Sequence, residues 1–259
     1  VEFLKRQVKE DVIPALEKFC GKPFDYNRLS ELVAEIKATC TLRNDCVELM
    51  KHVPAPASNF DLAVSMAPTF YLLGSPGNTE YYHRLKVEME GRIAKGISGM
   101  LPEEKYRIYF DGWMLWGFMG WFARKLVSYG ANMIVGRYAP LEFFQRPDLL
   151  DPDNPVDTII EQHGYFMRYG MPEVAIDLIP EWVKDFSIDG MIMHNSRTCR
   201  LWNLGQEDII QEVEKRYGVP GLLMEADMID PRFFSEAQLD TRLGAFFEMI
   251  DGRRKFRRG

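Results

Sequence analysis

The stretch Asp189-Gly-Met-Ile-Met-His-Asn-Ser-Arg-Thr-Cys-Arg-Leu-Trp-Asn-Leu-Gly-Gln206 changes character twice along its length. Residues 188–193 are an apolar run that predicts a short buried strand, and residues 203–217 carry apolar side chains at helical spacing. A polar loop that contains Cys199 lies between them. In open α/β sheets such strand-to-helix crossings form the ligand crevice, because backbone N–H groups of the following helix point into it. The sequence therefore predicts a functional site around Cys199.

Three further apolar runs have the same strand character, at residues 107–110, 132–135 and 221–224, and helical patterns separate the four runs. This alternation predicts an α/β fold: a flavodoxin-like four-stranded parallel sheet in the order 2-1-3-4, with helices on both faces. Since the carboxyl ends of parallel strands meet at one edge, Asp111, His194 and Glu225 are expected to share that edge.

The first hundred residues carry helical patterns without a strand, with helices expected before and after the break Cys20-Gly-Lys-Pro23 and at residues 61–73 and 78–95. We therefore divide the chain into a helical connecting region, residues 1–100, and a flavodoxin-like α/β domain, residues 101–259. The apolar stripes of the early helices are narrow, so these helices should pack on the sheet domain. No capping residue precedes the first helix, which predicts that the chain is the carboxyl-terminal part of a longer polypeptide.

The composition is that of a globular protein, with 259 residues, 46% hydrophobic and 27% charged. A net charge of −6 argues against nucleic-acid binding, and the basic run at residues 253–258 is expected to be a solvated terminus. No apolar run approaches the roughly 20 residues that cross a bilayer, and no signal-peptide pattern opens the chain. We therefore expect no membrane contact and a cytoplasmic location. The four cysteines are too scattered for a disulfide framework, and Cys40 and Cys46 are expected to be small helix residues.

Several common cofactor signatures are missing from the sequence. No G-x-G-x-x-G follows a predicted strand, no Walker A motif occurs, and no pair of His or Cys residues has zinc spacing. A lone cysteine can still be a nucleophile or one ligand of an iron–sulfur cluster, and the donors and positive charge around Cys199 favour its thiolate. The chemistry of the residues alone leaves a functional and a structural role for Cys199 equally open. For His194, a hydrogen-bonded scaffold role is favoured over that of a base.

Three segments together carry a family resemblance: residues 189–206, the ending that starts at Glu225-Ala-Asp-Met-Ile-Asp230-Pro-Arg-Phe-Phe-Ser235, and the loop Asp111-Gly-Trp113. They resemble the 2-hydroxyacyl-CoA dehydratase and benzoyl-CoA reductase family. The resemblance implies an oxygen-sensitive enzyme of two related subunits, each with two flavodoxin-like domains and a [4Fe–4S] cluster held by three cysteines. Cys199 matches the last ligand, and no position matches the other two, which implies a fragment or an incomplete paralogue.

The resemblance also implies a reaction. In the dehydratase branch, one electron delivered to the thioester carbonyl of a 2-hydroxyacyl-CoA makes a ketyl radical that expels hydroxide, and the electron is then returned. In the benzoyl-CoA branch the electrons stay in a dienoyl-CoA product. Both branches take electrons from an ATP-dependent iron–sulfur activator. The implied partners are thus a related second subunit, this activator and the acyl-CoA substrate.

We favour the dehydratase branch, with two alternatives. One is a benzoyl-CoA reductase subunit. The other is a non-catalytic flavodoxin-like scaffold or CoA-binding subunit in which Cys199 is vestigial. A flavin-binding protein would need a hydroxyl-rich loop after the first strand, which residues 111–115 do not provide. The residues assigned to the site are Cys199 as metal ligand, Asn195 and Arg197 as cofactor-binding residues, and His194, Ser196 and Trp113 as catalytic residues.

Overall fold

The sheet is four-stranded and parallel, with the order β2-β1-β3-β4. The computed structural model describes residues 1–138, 146–169 and 171–258, without the side chains of 166–169 and 255–258. The predicted class and strand order are confirmed. The strands are β1 (Tyr106–Asp111), β2 (Ala131–Val135), β3 (Gly190–Ser196) and β4 (Gly221–Ala226).

Helices precede the sheet and lie between its strands. The first part of the chain contains α1 (Glu2–Gln7), a π-helical turn (Val8–Val12), α2 (Ile13–Cys20), α3 (Tyr26–Leu49), α4 (Asn59–Val64), α5 (Met66–Leu72) and α6 (Pro76–Ala94). The sheet part contains α7 (Met119–Tyr129), α8 (Pro155–Tyr169), α9 (Pro172–Asp185), α10 (Arg200–Asn203), α11 (Gln206–Tyr217) and α12 (Glu236–Arg258). Within the described ranges, no helix is both long and apolar enough to cross a membrane.

Helix boundaries follow local chemistry. Gly21 ends α2 in the left-handed conformation, and the Asp25 side chain caps α3 by accepting from the backbone N–H of Arg28 at 2.8 Å. The single helix expected at residues 61–73 is instead two helices, α4 and α5. The reason is Pro68, which has no N–H to donate to the carbonyl of Val64 and whose ring crowds that carbonyl.

The third strand is longer than its apolar run. His194, Asn195 and Ser196 pair with Met224, Glu225 and Ala226 of β4, so the three polar residues belong to the strand rather than to a loop. The prediction of a loop from residue 194 was wrong because β4 continues alongside β3 to Ser196. The prediction of a shared edge is confirmed, since Asp111 lies opposite Met193 and Asn195 opposite Glu225.

The later part of the helical layer shares the core of the sheet domain. Met50, Ala57 and Phe60 belong to the same buried cluster as the strand residues Ile108 and Met133. The α1–α2 end contributes instead to a small cluster in which Ile13 contacts Val156 and Ile160 of α8. The expectation that the early helices pack on the sheet domain is therefore confirmed for the segment that contains Met50, Ala57 and Phe60.

A buried arginine joins the helical layer to the amino edge of the sheet. Arg107, 5% exposed, donates to the carbonyl oxygens of Met50 at 2.8 Å, His52 at 3.1 Å and Phe186 at 2.9 Å. It also forms an ion pair with Glu104, whose side chain is 2% exposed. A single guanidinium thus binds the segment that follows α3, the end of α9 and the start of β1. Sequence reasoning treated Arg107 as an ordinary strand residue.

Helix α12 lies against β3. A Cβ atom at Gly190 would lie 2.6 Å from both Phe246 and Ile250, so a larger residue would force these two side chains to shift. The basic run at its end is not a purely solvated terminus, because Arg253 pairs with Glu214 and Arg254 with Asp189. The side chains of residues 255–258 lie outside the described part.

Candidate functional site

The loops that follow the four strands meet at the carboxyl edge of the sheet. The strand order changes direction between β1 and β3, since β2 lies outside β1 and β4 lies outside β3. In open α/β sheets, ligands bind at this switch point. The loop that begins at Gly112 and the turn that contains Cys199 flank it on the two sides. The predicted site therefore lies where this fold class places ligands.

The loop after β1 is fastened to β3 through His194. Gly112 has φ +99, and a Cβ there would lie 2.3 Å from the carbonyl oxygen of His194. The ring atom Nδ1 of His194 is 2.6 Å from the carbonyl oxygen of Trp113. Because a carbonyl only accepts, Nδ1 carries the proton in this contact.

His194 is 0% exposed, and its burial lowers its pKa, although the backbone carbonyl of Trp113 acts in the opposite direction. A neutral, buried ring on β3 that holds the loop after β1 fits a positioning role. A catalytic role for His194 stays a prediction.

Two amide side chains bind the backbone that precedes Cys199, and a third amide bonds to both of them. Asn203 accepts from the N–H of Ser196 at 3.0 Å and donates to its carbonyl at 2.7 Å, while Gln206 donates to the carbonyl of His194 at 3.0 Å. Asn195 donates to Gln206 at 3.3 Å and accepts from Asn203 at 3.1 Å. Sequence reasoning missed Asn203 and Gln206, for which the available signal was a pair of amides at the start of the predicted helix. Asn195, predicted to bind a cofactor, has its side-chain amide bound within this network.

Cys199 itself is half-buried and immediately precedes the short helix α10. Its N–H donates to the carbonyl of Ser196 at 3.3 Å. Ser196, predicted to be catalytic, is 0% exposed, and its hydroxyl lies 3.3 Å from that of Thr198. Cys199 is thus partly exposed, whereas Ser196 is enclosed.

The turn is also tied to the loop after β4. Thr198 donates its hydroxyl hydrogen to Asp227 at 2.9 Å, and Asp227 accepts from the N–H groups of Ile229 at 3.0 Å and Asp230 at 2.9 Å. Burial by itself would raise the pKa of Asp227, but these donors outweigh it and hold the pKa below its ordinary value. Asp227 is therefore a carboxylate that joins two site loops.

Arg197 points away from the switch point. Its Nη2 atom lies 2.9 Å from Glu225, and its guanidinium carbon lies 5.3 Å from the centre of the Phe233 ring. Glu225 is thus its carboxylate partner. Arg197, Arg232 and Arg242 line a groove of about 280 Å³ beside β4. A cofactor role for Arg197 stays a prediction.

Aromatic residues cover the opposite side of the site. The half-buried ring of Trp113 lies 5.0 Å from that of Tyr138, and Trp116 lies 6.3 Å from the same ring. Beneath them Arg137 forms an ion pair with Asp111 at 2.8 Å, and both side chains are almost fully buried. This ion pair was not predicted. Trp113 thus stands beside the switch point as expected, while its catalytic role stays a prediction.

The thiols differ in their capacity to bind metal. Cys40 and Cys46 are buried in α3, where burial raises the pKa of each thiol to about 12, and Cys20 is exposed in α2. In the part of the chain that the structure describes, no group of three or more His, Cys, Asp or Glu side chains is placed to hold a metal ion. Among the described residues, Cys199 is the thiol that stands at the carboxyl edge.

Known proteins resemble this chain along nearly its whole length. It is 29% identical to one subunit of the benzoyl-CoA reductase of Thauera aromatica, over 98% of this chain and 60% of that protein. It is 28% identical to the (R)-phenyllactyl-CoA dehydratase alpha subunit of Clostridium sporogenes, over 96% and 60%. It is also 28% identical to the (R)-2-hydroxyisocaproyl-CoA dehydratase alpha subunit of Clostridioides difficile, over 100% and 62%.

The chain thus spans about three fifths of the length of these curated relatives. The sequence model of the family described as 2-hydroxyglutaryl-CoA dehydratase, D-component, matches residues 1–250. The chain therefore belongs to the 2-hydroxyglutaryl-CoA dehydratase D-component family.

Proposed function

We propose that this chain is part of a subunit of a cytoplasmic, oxygen-sensitive 2-hydroxyacyl-CoA dehydratase and that Cys199 is one protein ligand of its [4Fe–4S] cluster. The observation that carries the proposal is the position of Cys199: a half-buried thiol in a hydrogen-bonded turn at the switch point of the sheet. The names of the relatives support the reaction class, because two of them are dehydratase alpha subunits.

The residues around Cys199 fit a metal site whose backbone is already ordered. Asn203 and Gln206 order the backbone that precedes Cys199, so its side chain is held in place before a metal binds. The aromatic pair Trp113 and Tyr138 limits access of water from the β2 side. The bound cluster would supply one low-potential electron to the thioester carbonyl of the substrate. Since this chain offers one thiol there, the remaining ligands come from outside these residues.

The proposed reaction removes the hydroxyl group from C2 of the acyl chain and a proton from C3, which together leave as water. The electron that starts the elimination is returned at the end, so substrate and product differ only by water. We further propose a related second subunit, which agrees with the naming of each relative as one subunit of its enzyme, and an ATP-dependent iron–sulfur activator that delivers the electron.

Replacement of Cys199 tests the proposal directly. In the anaerobically purified complex, Cys199→Ser should lower iron content, weaken the cluster absorbance and abolish dehydration, while the circular dichroism spectrum stays unchanged. Cys20→Ser is the matched control, because Cys20 is exposed in α2 and should be neutral in every assay. Full iron content and normal turnover in Cys199→Ser would refute the ligand role.

The benzoyl-CoA branch is the second candidate, favoured by the 29% identity to a benzoyl-CoA reductase subunit. The two branches differ in where the electrons end. With the activator and ATP present, a 2-hydroxyacyl-CoA should yield an enoyl-CoA without net consumption of reductant. Benzoyl-CoA would instead consume two electrons per product. If benzoyl-CoA is turned over and the 2-hydroxyacyl-CoA is not, the reductase replaces the dehydratase proposal. If the complex contains no iron and turns over neither substrate, the scaffold alternative is favoured.

A further inference from the structure

Arg137 is a buried cation that the proposed function leaves without a role. It is 1% exposed, and its Nε donates to Oδ2 of Asp111 at 2.8 Å. The same carboxylate accepts from the Tyr109 hydroxyl at 3.2 Å and, through Oδ1, from the N–H of Gly112 at 2.7 Å. Asp111 is 0% exposed, so the two charges are shielded from water together. Buried ion pairs seldom add much stability by themselves, so stability alone does not explain why this pair is present.

The backbone brings Arg137 to this place by a close approach. A Cβ atom at Gly136 would lie 1.7 Å from the carbonyl oxygen of Phe110, which no larger residue could tolerate. The chain after β2 therefore lies directly against the end of β1, and the next side chain reaches Asp111.

On its other side the guanidinium group of Arg137 contacts the segment that follows Cys199. Its central carbon lies 4.7 Å from the centre of the Trp202 ring, which is a cation–π contact between buried groups. Trp202 is 9% exposed and follows Cys199 by three residues within the four-residue helix α10. A helix this short has no stability of its own, so its position depends on such contacts.

We propose that Arg137, held by Asp111, is a positioning residue that keeps the Cys199 turn in place through the ring of Trp202. The ordering of the turn follows from these contacts alone. Its consequence for metal binding rests on the proposed function, in which Cys199 must meet a cluster in one orientation.

Hydrogen exchange of the full chain tests the ordering. In Trp202→Leu, amide exchange of the peptide that covers residues 197–203 should accelerate about tenfold, the order expected when a desolvated cation–π contact is lost. Alkylation of Cys199 by iodoacetamide should accelerate as well, with the exposed Cys20 as internal reference. The double variant Asp111→Asn with Arg137→Met, which removes both charges of this ion pair, should show the same acceleration.

Two control variants separate positioning from general loosening. Trp202→Phe keeps a ring under the guanidinium and should exchange within about twofold of the wild type. Trp182→Leu removes a half-buried tryptophan of α9, on another side of the protein, and should leave residues 197–203 unchanged.

Wild-type exchange of the turn in Trp202→Leu or in the double variant overturns the inference. Tenfold faster exchange in Trp202→Phe overturns it too. Loss of protection throughout β1 and β3 in Trp202→Leu also overturns it, because Trp202 would then stabilise the whole core rather than the turn. Iron retained in Cys199→Ser would refute the proposed function and leave the exchange result standing. If the proposed function holds, Trp202→Leu should also lower the iron content of the complex, and Trp202→Phe should not.

Discussion

Arg107→Met should be among the most destabilising single substitutions in this chain. The change removes the cation that neutralises Glu104, whose side chain is 2% exposed, and leaves three carbonyl oxygens without their guanidinium donor. Removing one partner of a buried ion pair costs about 3–5 kcal/mol, because the other charge stays buried and unpaired. At roughly 3 °C per kcal/mol for a chain of this size, the melting temperature should fall by about 12 °C.

Thermal unfolding followed by circular dichroism, with urea unfolding as a second measurement, checks this value. The matched control is Arg216→Met, since Arg216 forms an i,i+4 helix pair with Glu212 at 2.6 Å and its side chain is 37% exposed. Such exposed pairs contribute little to stability because water and salt screen them, so the control should change the melting temperature by only about a degree or two. A free energy of unfolding for Arg107→Met within about 1 kcal/mol of the wild type would refute the argument, because the buried charge would then cost almost nothing.

Two further results are expected. Gly112→Ala should lower the free energy of unfolding, measured in urea, by about 2–3 kcal/mol, because the φ of Gly112 is +99° and its Cβ would lie 2.3 Å from the His194 carbonyl oxygen. Gly91 has open space around it in α6, so Gly91→Ala should not destabilise the chain. Equal urea midpoints for the two variants would contradict the strain at Gly112. Burial raises the pKa of Cys40 and Cys46 to about 12, so two of the four thiols should react with a disulfide reagent at pH 8 in the folded chain and all four in urea. Stability should also fall as pH rises from about 9 to about 12, by about 1.4 kcal/mol per pH unit for each thiol, because the unfolded chain releases those protons first. Replacing both cysteines with alanine should reduce that slope, and an unchanged slope would contradict the raised pKa values of the two thiols.

Local features of the sequence predicted much of the fold. The four apolar runs are short, and helical patterns separate them, so their identity as parallel strands followed from general rules, while their order was chosen as the flavodoxin-like one and is confirmed. Gly21 marked the end of α2 because glycine adopts the left-handed conformation without strain. The carboxyl edge that carries Cys199 followed from the parallel arrangement. Each of these features depends on residues close together in the chain.

What the sequence did not reveal depends on residues far apart. The end of β3 is set by its pairing with β4, about thirty positions later, and the apolar pattern stops before the pairing does. Arg137 forms an ion pair with Asp111 and a cation–π contact with Trp202, and all three residues are far apart in the sequence. Contacts of this kind leave no periodic pattern in the sequence. Arg107 is buried because two distant chain segments present three carbonyl oxygens to it, and nothing in its local pattern distinguishes it from a solvated strand residue. The sequence by itself determined which segments become strands and at which edge of the sheet Cys199 stands. The tertiary structure alone decided which charges are buried and what holds the thiol in place, because hydrogen bonds and ion pairs between distant segments exist only after the chain has folded.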